Sequence, residues 1–210
     1  MNDILNKWES YIKEKLIPII GKNPEGNLYS KNLTNFKEKK LIPKQINLIN
    51  FLSKYNPKNI LEIGFNAGFS ALLIKMVCPN SNLTCVDINY HNYVVPCYEI
   101  ISKDYEKINL ITENSYTALP KLIKKKLKYD VVHLDGDHHV ISAERDFLNS
   151  LNLTNKGSVI IFDDTNLPDL NMLCEKYIIN KNVKEFKFEK IKLNFYKHRF
   201  LEVLSKLTYL

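Results

Sequence analysis

The stretch NILEIGFNAGFS, residues 59–70, joins a short apolar run to a turn with two glycines, Gly64 and Gly68. The apolar run predicts a buried strand, and the apolar residues that follow at helical spacing predict a helix. The glycines allow a tight turn and a close backbone approach to a ligand. A dinucleotide-binding loop would have glycine where Glu62 stands, so the acidic residue favours a cationic ligand over a phosphate.

Four similar units follow along the chain. The predicted strands are NILEIG (59–64), LTCVDI (83–88), INLIT (108–112), DVVHLD (130–135) and SVIIFDD (158–164). The predicted helices cover residues 70–77, 93–106, 116–127, 140–151 and 167–179. This alternation predicts a parallel sheet with helices on both faces.

The end of the chain has a different pattern. EFKFEKI (185–191) and KLNFYKHR (192–199) are adjacent stretches of period two with no helix between them. They predict an antiparallel hairpin that closes the sheet. The last segment, FLEVLSKLTYL (200–210), fits either a short amphipathic helix or an extension of the final strand.

The composition is that of a folded globular chain, because 45% of its 210 residues are apolar and 25% are charged. A chain this long buries about 70% of its unfolded surface, so one core supports it without disulfides. We therefore expect a single domain over residues 1–210, with 1–43 as an N-terminal helical lid segment. No apolar run approaches the roughly 20 residues of a bilayer span, and a signal-peptide core is missing. We expect no membrane association and a cytoplasmic location.

The cysteine content and the net charge say little about the class of function. The cysteines form no CxxC pair and lie in or beside apolar segments, which predicts reduced thiols rather than disulfides or a zinc site. Lysine and arginine exceed aspartate and glutamate by 30 to 23. Such a surplus is typical of proteins that bind nucleic acid, anionic membranes or acidic substrates, but biased genome composition also produces it.

Acidic residues follow several of the predicted strands, where ligands of parallel α/β sheets bind. Asp87 follows the second strand, where a carboxylate accepts hydrogen bonds from both ribose hydroxyls of a nucleoside. Asp135, Asp163 and Asp164 follow the fourth and fifth strands, and such a cluster raises a pKa or attracts a cation. The alternative for Asp87, Asp163 and Asp164 is that they cap the helices that follow.

The motifs LEIGFNAGFSALLI, CVDIN, ENSYTALPKL, VVHLDGDHH and SVIIFDDTN occur in this order along the chain. Together they resemble the class I S-adenosylmethionine-dependent methyltransferases. Among these they are most similar to the metal-dependent O-methyltransferases of the catechol and caffeoyl-CoA type and their DGDH-bearing relatives. The resemblance covers residues 44–199 and implies a Rossmann-like, seven-stranded, mostly parallel sheet with an antiparallel last strand.

The resemblance implies S-adenosylmethionine as the cofactor. It places Glu62, Gly64, Asn66 and Ser70 around the methionine portion, Asp87 at the ribose, and Ser115 with Tyr116 at the adenine, and Gly68 and Asp135 complete the implied cofactor-binding set. Ser115 is also a candidate N-cap of the helix that follows it.

The resemblance also implies a catalytic centre. It assigns Asp135, Asp163 and Asp164 to a divalent cation, for which we expect Mg²⁺, a hard ion that takes oxygen ligands. His138 occupies the position of the catalytic base, and a histidine can remove a proton from a substrate hydroxyl. His139 is interpreted as an exposed loop residue and His133 as packed in the sheet. We therefore predict metal-assisted O-methylation of a small-molecule or sugar hydroxyl, with Asp135 and His138 as catalytic residues.

Two other functions compete with this prediction. The basic surplus and the lysines of 121–128 favour an RNA or protein methyltransferase, although those lysines also fit the solvated face of a helix. Enzymes that methylate amino groups of nucleic acids carry an Asn- or Asp-Pro-Pro-aromatic motif where this chain has DGDH. The second alternative is a cofactor-binding subunit without turnover, since a fold does not establish activity. Relatives of this type are often dimers, which suggests a homodimer. The sequence does not identify the molecule that accepts the methyl group.

Overall fold

The computed structural model describes residues 2–21, 42–190 and 197–205. Its strands are β1 (Asn59–Ile63), β2 (Asn82–Asp87), β3 (Ile108–Thr112), β4 (Tyr129–Leu134), β5 (Thr154–Phe162), β6 (Val183–Glu185) and β7 (Arg199–Val203). They form one sheet in the order β3-β2-β1-β4-β5-β7-β6. β1 to β5 run parallel, and β7 is antiparallel to both β5 and β6. The predicted seven-stranded, mostly parallel sheet is confirmed.

Helices connect the strands and precede the sheet. They are α1 (Asn2–Tyr11), α2 (Ile17–Ile20), α3 (Ile42–Tyr55), α4 (Phe69–Val77), α5 (Val94–Asp104), α6 (Ser115–Lys124), α7 (Val140–Leu153) and α8 (Pro168–Ile179). A π-helical turn, Ile12–Leu16, joins α1 to α2. Within the described ranges, every helix is too short or too polar to cross a membrane.

The sheet has an apolar core on each face, as strands buried on both sides require. Successive residues of β1 point to opposite faces: Ile60 packs in the core that contains Trp8 and Phe51, and Leu61 in the core that contains Phe147. Trp8 also donates a hydrogen bond from Nε1 to the carbonyl oxygen of Phe69, at 2.7 Å. The N-terminal helix is thereby fixed against the start of α4, beside the loop that follows β1.

The final hairpin exists, but the bounds predicted for its strands were wrong. β6 ends at Glu185 and β7 begins at Arg199, whereas 186–190 form no strand and 191–196 lie outside the described residues. The aromatic alternation in the predicted strand serves packing, because the rings of Phe186 and Phe188 lie 5.5 and 5.7 Å from the ring of Phe51. Of the two alternatives for the last segment, strand extension is correct for 200–203, and 206–210 lie outside the described part.

Gly64 sets the path of the chain at the end of β1. Its φ is 93°, and a Cβ on it would lie 1.9 Å from the carbonyl oxygen of Asp135. Only glycine fits there, since a side chain would meet both backbone strain and a steric clash. The close contact brings the ends of β1 and β4 together, where the strand order reverses and where parallel α/β sheets bind ligands.

Candidate active site

A cleft of about 1160 Å³ opens at the carboxyl ends of β1, β2, β4 and β5. It brings together most of the residues that the sequence singles out: Gly64, Asn66, Ser70, Asp87, Ser115, Asp135, His138, Asp163 and Asp164 line it. Of the described residues predicted at the site, Glu62, Gly68 and Tyr116 do not line the cleft. The predicted cofactor loop and the predicted catalytic cluster therefore share one cavity.

Asp87 holds the loop that follows β1. Its Oδ2 accepts hydrogen bonds from the backbone N–H groups of Phe65 and Asn66, at 2.9 and 2.8 Å. Its Oδ1 accepts from the N–H of Asn89 at 2.7 Å. Asp87 does not cap α5, whose N-cap is Tyr93, so that alternative is wrong. The carboxylate lines the cleft and fixes the loop at the same time, and sequence reasoning missed this second role.

The structure places Glu62 beneath the cleft rather than in it. Its side chain is fully buried, and its Oε1 lies 3.1 Å from Nδ1 of His133. Its Oε2 accepts a weak hydrogen bond from the thiol of Cys85 at 3.5 Å. Contact with the methionine portion of a cofactor does not follow from this position, because the carboxylate faces the imidazole below the cleft floor.

Gly68 and the start of α6 also differ in detail from expectation. Gly68 has a φ of 75° and precedes α4, and a Cβ there would lie 2.5 Å from the ring of Phe65. The N-cap of α6 is Asn114, whose side chain accepts from the N–H of Tyr116 at 2.9 Å, so Ser115 is not the cap. Tyr116 is exposed, and the guanidinium of Arg145 lies 4.5 Å from its ring centre.

Asp163 pairs with a lysine that the sequence did not single out. The ammonium of Lys44, in the first turn of α3, contacts Oδ2 of Asp163, and the two side chains are 18% and 1% exposed. Burial alone would raise the pKa of Asp163, but Lys44 and the nearby His133 hold it well below its usual range. Burial lowers the pKa of Lys44, but the carboxylates of Asp163, Asp135 and Asp164 raise it by more. The pair of Lys44 and Asp163 is therefore ionised.

His133 and Asp135 lie at the floor of the cleft. His133 is packed in the sheet, as predicted, between Glu62 and Asp163, and its Nε2 lies 3.7 Å from Asp163 Oδ2. Burial lowers the pKa of His133, but hydrogen bonds to Asp163 and Glu62 raise it to about 10. Desolvation and the Asp163 carboxylate raise the pKa of Asp135 to about 7.

His138 pairs with the other carboxylate of the DD motif. Its Nε2 lies 2.8 Å from Oδ2 of Asp164, and this hydrogen bond raises the pKa of His138. Neither Asp163 nor Asp164 caps α8 in the described chain, because its N-cap is Leu167 with no side-chain hydrogen bond. The capping alternative for these aspartates is therefore wrong.

Other cleft residues besides Lys44 were not predicted from the sequence, among them Arg145, Asp146 and His198. Asp146 and His198 are buried, and among the described residues Oδ1 of Asp146 and Nε2 of His198 have no hydrogen-bond partner. Burial, with the cations Lys44 and His133 nearby, lowers the pKa of His198 to about 3. Its side chain is neutral, and no motif around it signals its position.

The donor atoms at this cluster are of the kind that bind a divalent cation. Ligand atoms of His133, Asp135 and Asp163 lie within 4.8 Å of one another, as do those of Asp135, His138 and Asp164. However, Lys44 already pairs with Asp163, and a protonated imidazole such as His133 offers no lone pair to a metal. With Lys44 on Asp163, the predicted set of Asp135, Asp163 and Asp164 does not fit a divalent ion as it stands, and Mg²⁺ at these residues stays a prediction.

Comparison with known proteins agrees with the geometry of the cleft. A family model described as a methyltransferase domain matches residues 61–165, from β1 through the end of β5. That stretch is half of the chain. The chain belongs to this methyltransferase family. The predicted methyltransferase is thereby confirmed as an enzyme class, and no protein with a curated description matches the sequence.

Solved structures confirm the predicted fold. An O-methyltransferase from Bacillus cereus, in complex with SAH, has a TM-score of 0.64 and 14% identity, covering 97% of this chain and 90% of that one. The O-methyltransferase TomG from Streptomyces achromogenes, involved in tomaymycin synthesis and in complex with SAM, gives 0.63 and 15%, with the same coverage. MycE methyltransferase of the mycinamycin biosynthetic pathway, in complex with Mg, SAH and mycinamycin VI, gives 0.55 and 16%, covering 75% and 50%.

Proposed function

We propose that this methyltransferase transfers the methyl group of S-adenosylmethionine to a hydroxyl oxygen of a small molecule. The observation that carries the proposal is the shared cleft, in which the Gly64–Ser70 loop and the His138–Asp164 pair face one cavity. The family supplies the reaction class, and two structural neighbours that are O-methyltransferases were solved with SAM or SAH.

The loop after β1 and the end of β2 form the proposed cofactor side. Gly64, Asn66 and Ser70 would contact the methionine portion, and the left-handed backbone of Asn66, with φ at 50°, shapes that turn. Tyr93 donates from its hydroxyl to Oδ1 of Asn66 at 2.8 Å and so orients this side chain. Asp87 would bind the ribose while it holds the loop.

The proposed adenine end lies where α6 and α7 meet the cleft. Ser115 and Asp146 both line this end. Since Oδ1 of Asp146 has no hydrogen-bond partner among the described residues, it is free to accept from an amino group of the base. Tyr116 and Asn114 would border the same end.

The proposed reaction is a direct displacement. The acceptor O–H proton passes to His138, an O–CH₃ bond forms as the S–CH₃ bond breaks, and the bonding pair stays on sulfur to give S-adenosylhomocysteine. Asp164 keeps Nε2 of His138 occupied, which leaves Nδ1 to take the proton. Most of the rate then comes from the alignment of two bound reactants rather than from covalent catalysis.

The proposed acceptor side is formed by the N-terminal part of the chain. Trp8 of α1 and Gln45 and Leu48 of α3 line the cleft next to Lys44. This supports the proposal that 1–210 is one domain in which 1–43 covers the acceptor. Mycinamycin VI in MycE supports a small-molecule acceptor, and a cytoplasmic location stays a prediction.

Titration calorimetry with S-adenosylhomocysteine tests the cofactor assignment, and Asp87→Ala should weaken binding by at least about tenfold, the scale of 1.4 kcal/mol. The acceptor class is tested by methyl transfer from labelled S-adenosylmethionine to a panel of catechols, phenols and glycosides. Label that enters only RNA or protein would favour the alternative, and a chain that does not bind S-adenosylhomocysteine would contradict the proposal.

A further inference from the structure

The ammonium of Lys44 lies at the predicted metal site. Lys44 reaches from the first turn of α3 to Asp163, at the end of β5, and its side chain is only 18% exposed. The resemblance assigns Asp163, with Asp135 and Asp164, to a divalent ion. The residue that contacts Asp163 comes from a helix 119 positions earlier in the chain, counted from 44 to 163.

Two cations of the chain already face the carboxylates around Lys44. The carboxylates are those of Glu62, Asp135, Asp163 and Asp164, and the cations that face them are Lys44 and His133. His138, hydrogen-bonded to Asp164, adds positive charge whenever it is protonated. Lys44 and His133 therefore neutralise part of the negative charge that would otherwise attract a divalent ion.

A buried ion pair of this kind is hard to separate. Removal of one partner leaves the other charge buried and uncompensated, which is strongly destabilising. A metal that bound Oδ2 of Asp163 would have to displace the ammonium of Lys44 from it. Lys44 lines the cleft beside Asp135 and His138, so its ammonium is also exposed to a molecule bound there.

We propose that Lys44 supplies from within the chain the positive charge that a divalent ion supplies in the metal-dependent relatives, so that this site works without metal. The inference deepens the proposed O-methylation and rests on it for the identity of the acceptor atom. An ammonium has three N–H donors, and Asp163 engages Lys44 from one side. A remaining N–H donates to the acceptor oxygen and stabilises the negative charge that develops there as His138 takes the proton.

The test measures cation binding directly, with MnCl₂ as the probe, by titration calorimetry of the whole chain. Wild type should show no saturable binding of Mn²⁺. Lys44→Met should bind Mn²⁺ at least about tenfold more tightly than wild type, because the carboxylates of Asp135, Asp163 and Asp164 then lack the positive charge of Lys44. Lys44→Arg keeps the charge and should behave like wild type. Lys54→Met removes an exposed lysine from the same helix and serves as the matched control.

Should Lys44→Met fail to fold, Lys44→Gln carries the same test, since its amide still donates to Asp163 and only the charge is lost. Tight Mn²⁺ binding by wild type would overturn the proposal, and so would variants without Lys44 that bind Mn²⁺ no better than wild type.

Each sample is also titrated with S-adenosylhomocysteine. If wild type does not bind S-adenosylhomocysteine, the proposed function is contradicted. The Mn²⁺ titration still decides the role of Lys44 in that case. Normal S-adenosylhomocysteine binding with tight wild-type Mn²⁺ binding would overturn only the inference about Lys44.

Discussion

Nε2 of His138 lies 2.8 Å from Oδ2 of Asp164, and this hydrogen bond links the residues that follow β4 and β5. The histidine side chain is 54% exposed and the aspartate 16%, so the more buried partner orients the more exposed one. Asp164 has a φ of 50°, a left-handed conformation that costs about 1–3 kcal/mol outside glycine and clusters at functional sites. Asp164 is therefore a positioning residue for His138.

His138→Gln should lower the rate of methyl transfer by about 10²–10⁴-fold, the usual contribution of a general base. Affinity for S-adenosylhomocysteine should stay unchanged, because the substitution leaves the loop after β1 intact. Initial rates with the acceptor identified from the panel, together with calorimetry, measure both quantities. Asp164→Asn, which keeps a hydrogen-bond acceptor for Nε2, should lower the rate less.

His139→Gln is the matched control for this prediction. His139 is the next residue, lines the same cleft, is exposed, and provides the N-cap position of α7 without a side-chain hydrogen bond. Its substitution should leave the rate within about twofold of wild type, as surface changes usually do. Equal losses for the two histidines would mean that the loop, rather than the base, was disturbed.

Local pattern was enough to predict the parallel strands and the position of the cleft, and the resemblance implied the seven-stranded sheet. Asp87, Asp135 and Asp163 each follow a strand, and parallel strands bring their carboxyl ends to one edge. Lys44 could not be found in this way, because its contact with Asp163 depends on how α3 packs on the sheet. The contact of Glu62 with His133 could not be found for a related reason, because Glu62 is the last but one residue of β1 and His133 lies in the neighbouring strand, and its role at the cofactor stays a prediction.

Gly64→Ala should destabilise the protein severely and abolish binding of S-adenosylhomocysteine. A Cβ would lie 1.9 Å from the Asp135 carbonyl oxygen at a φ of 93°, so the ends of β1 and β4 would have to separate. Gly157→Ala is the control, since its φ is 88° and nothing lies within 4 Å of an added Cβ. It carries backbone strain alone, about 1–2 kcal/mol. Urea unfolding of both variants should show a much larger loss for Gly64→Ala.

Glu62→Gln separates a structural role from contact with the cofactor. Because Glu62 is buried against His133 at 3.1 Å, its loss of charge should lower the free energy of unfolding by about 3–5 kcal/mol. Affinity for S-adenosylhomocysteine should change little in the protein that remains folded. Glu106→Gln, at an exposed position, should change neither quantity. A large loss of affinity with normal stability would restore Glu62 to the cofactor-binding set.

Asp146 should make the stability of the chain fall as the pH rises from about 4 to about 6. Burial raises its pKa to about 6, although the hydrogen bond from Ser115 and the charge of Arg145 act in the opposite direction. The folded state therefore binds the proton more tightly than the unfolded state, whose pKa is near the ordinary 3.8. Above pH 6 the buried carboxylate is charged, and the cost is on the order of 3 kcal/mol.

Asp146→Asn removes this ionisation, so the stability of the variant relative to wild type should increase between about pH 4 and pH 7, by on the order of 2–3 kcal/mol. Urea unfolding of the cofactor-free proteins across this range measures the difference between the two curves, in which the other titrating groups cancel. Asp169→Asn, at an exposed position, is the control and should follow wild type. Parallel curves for Asp146→Asn and wild type would mean that the carboxyl ionises as freely in the cleft as in water. In that case its free Oδ1 would carry no stability cost that binding of an amino group at the proposed adenine end could relieve.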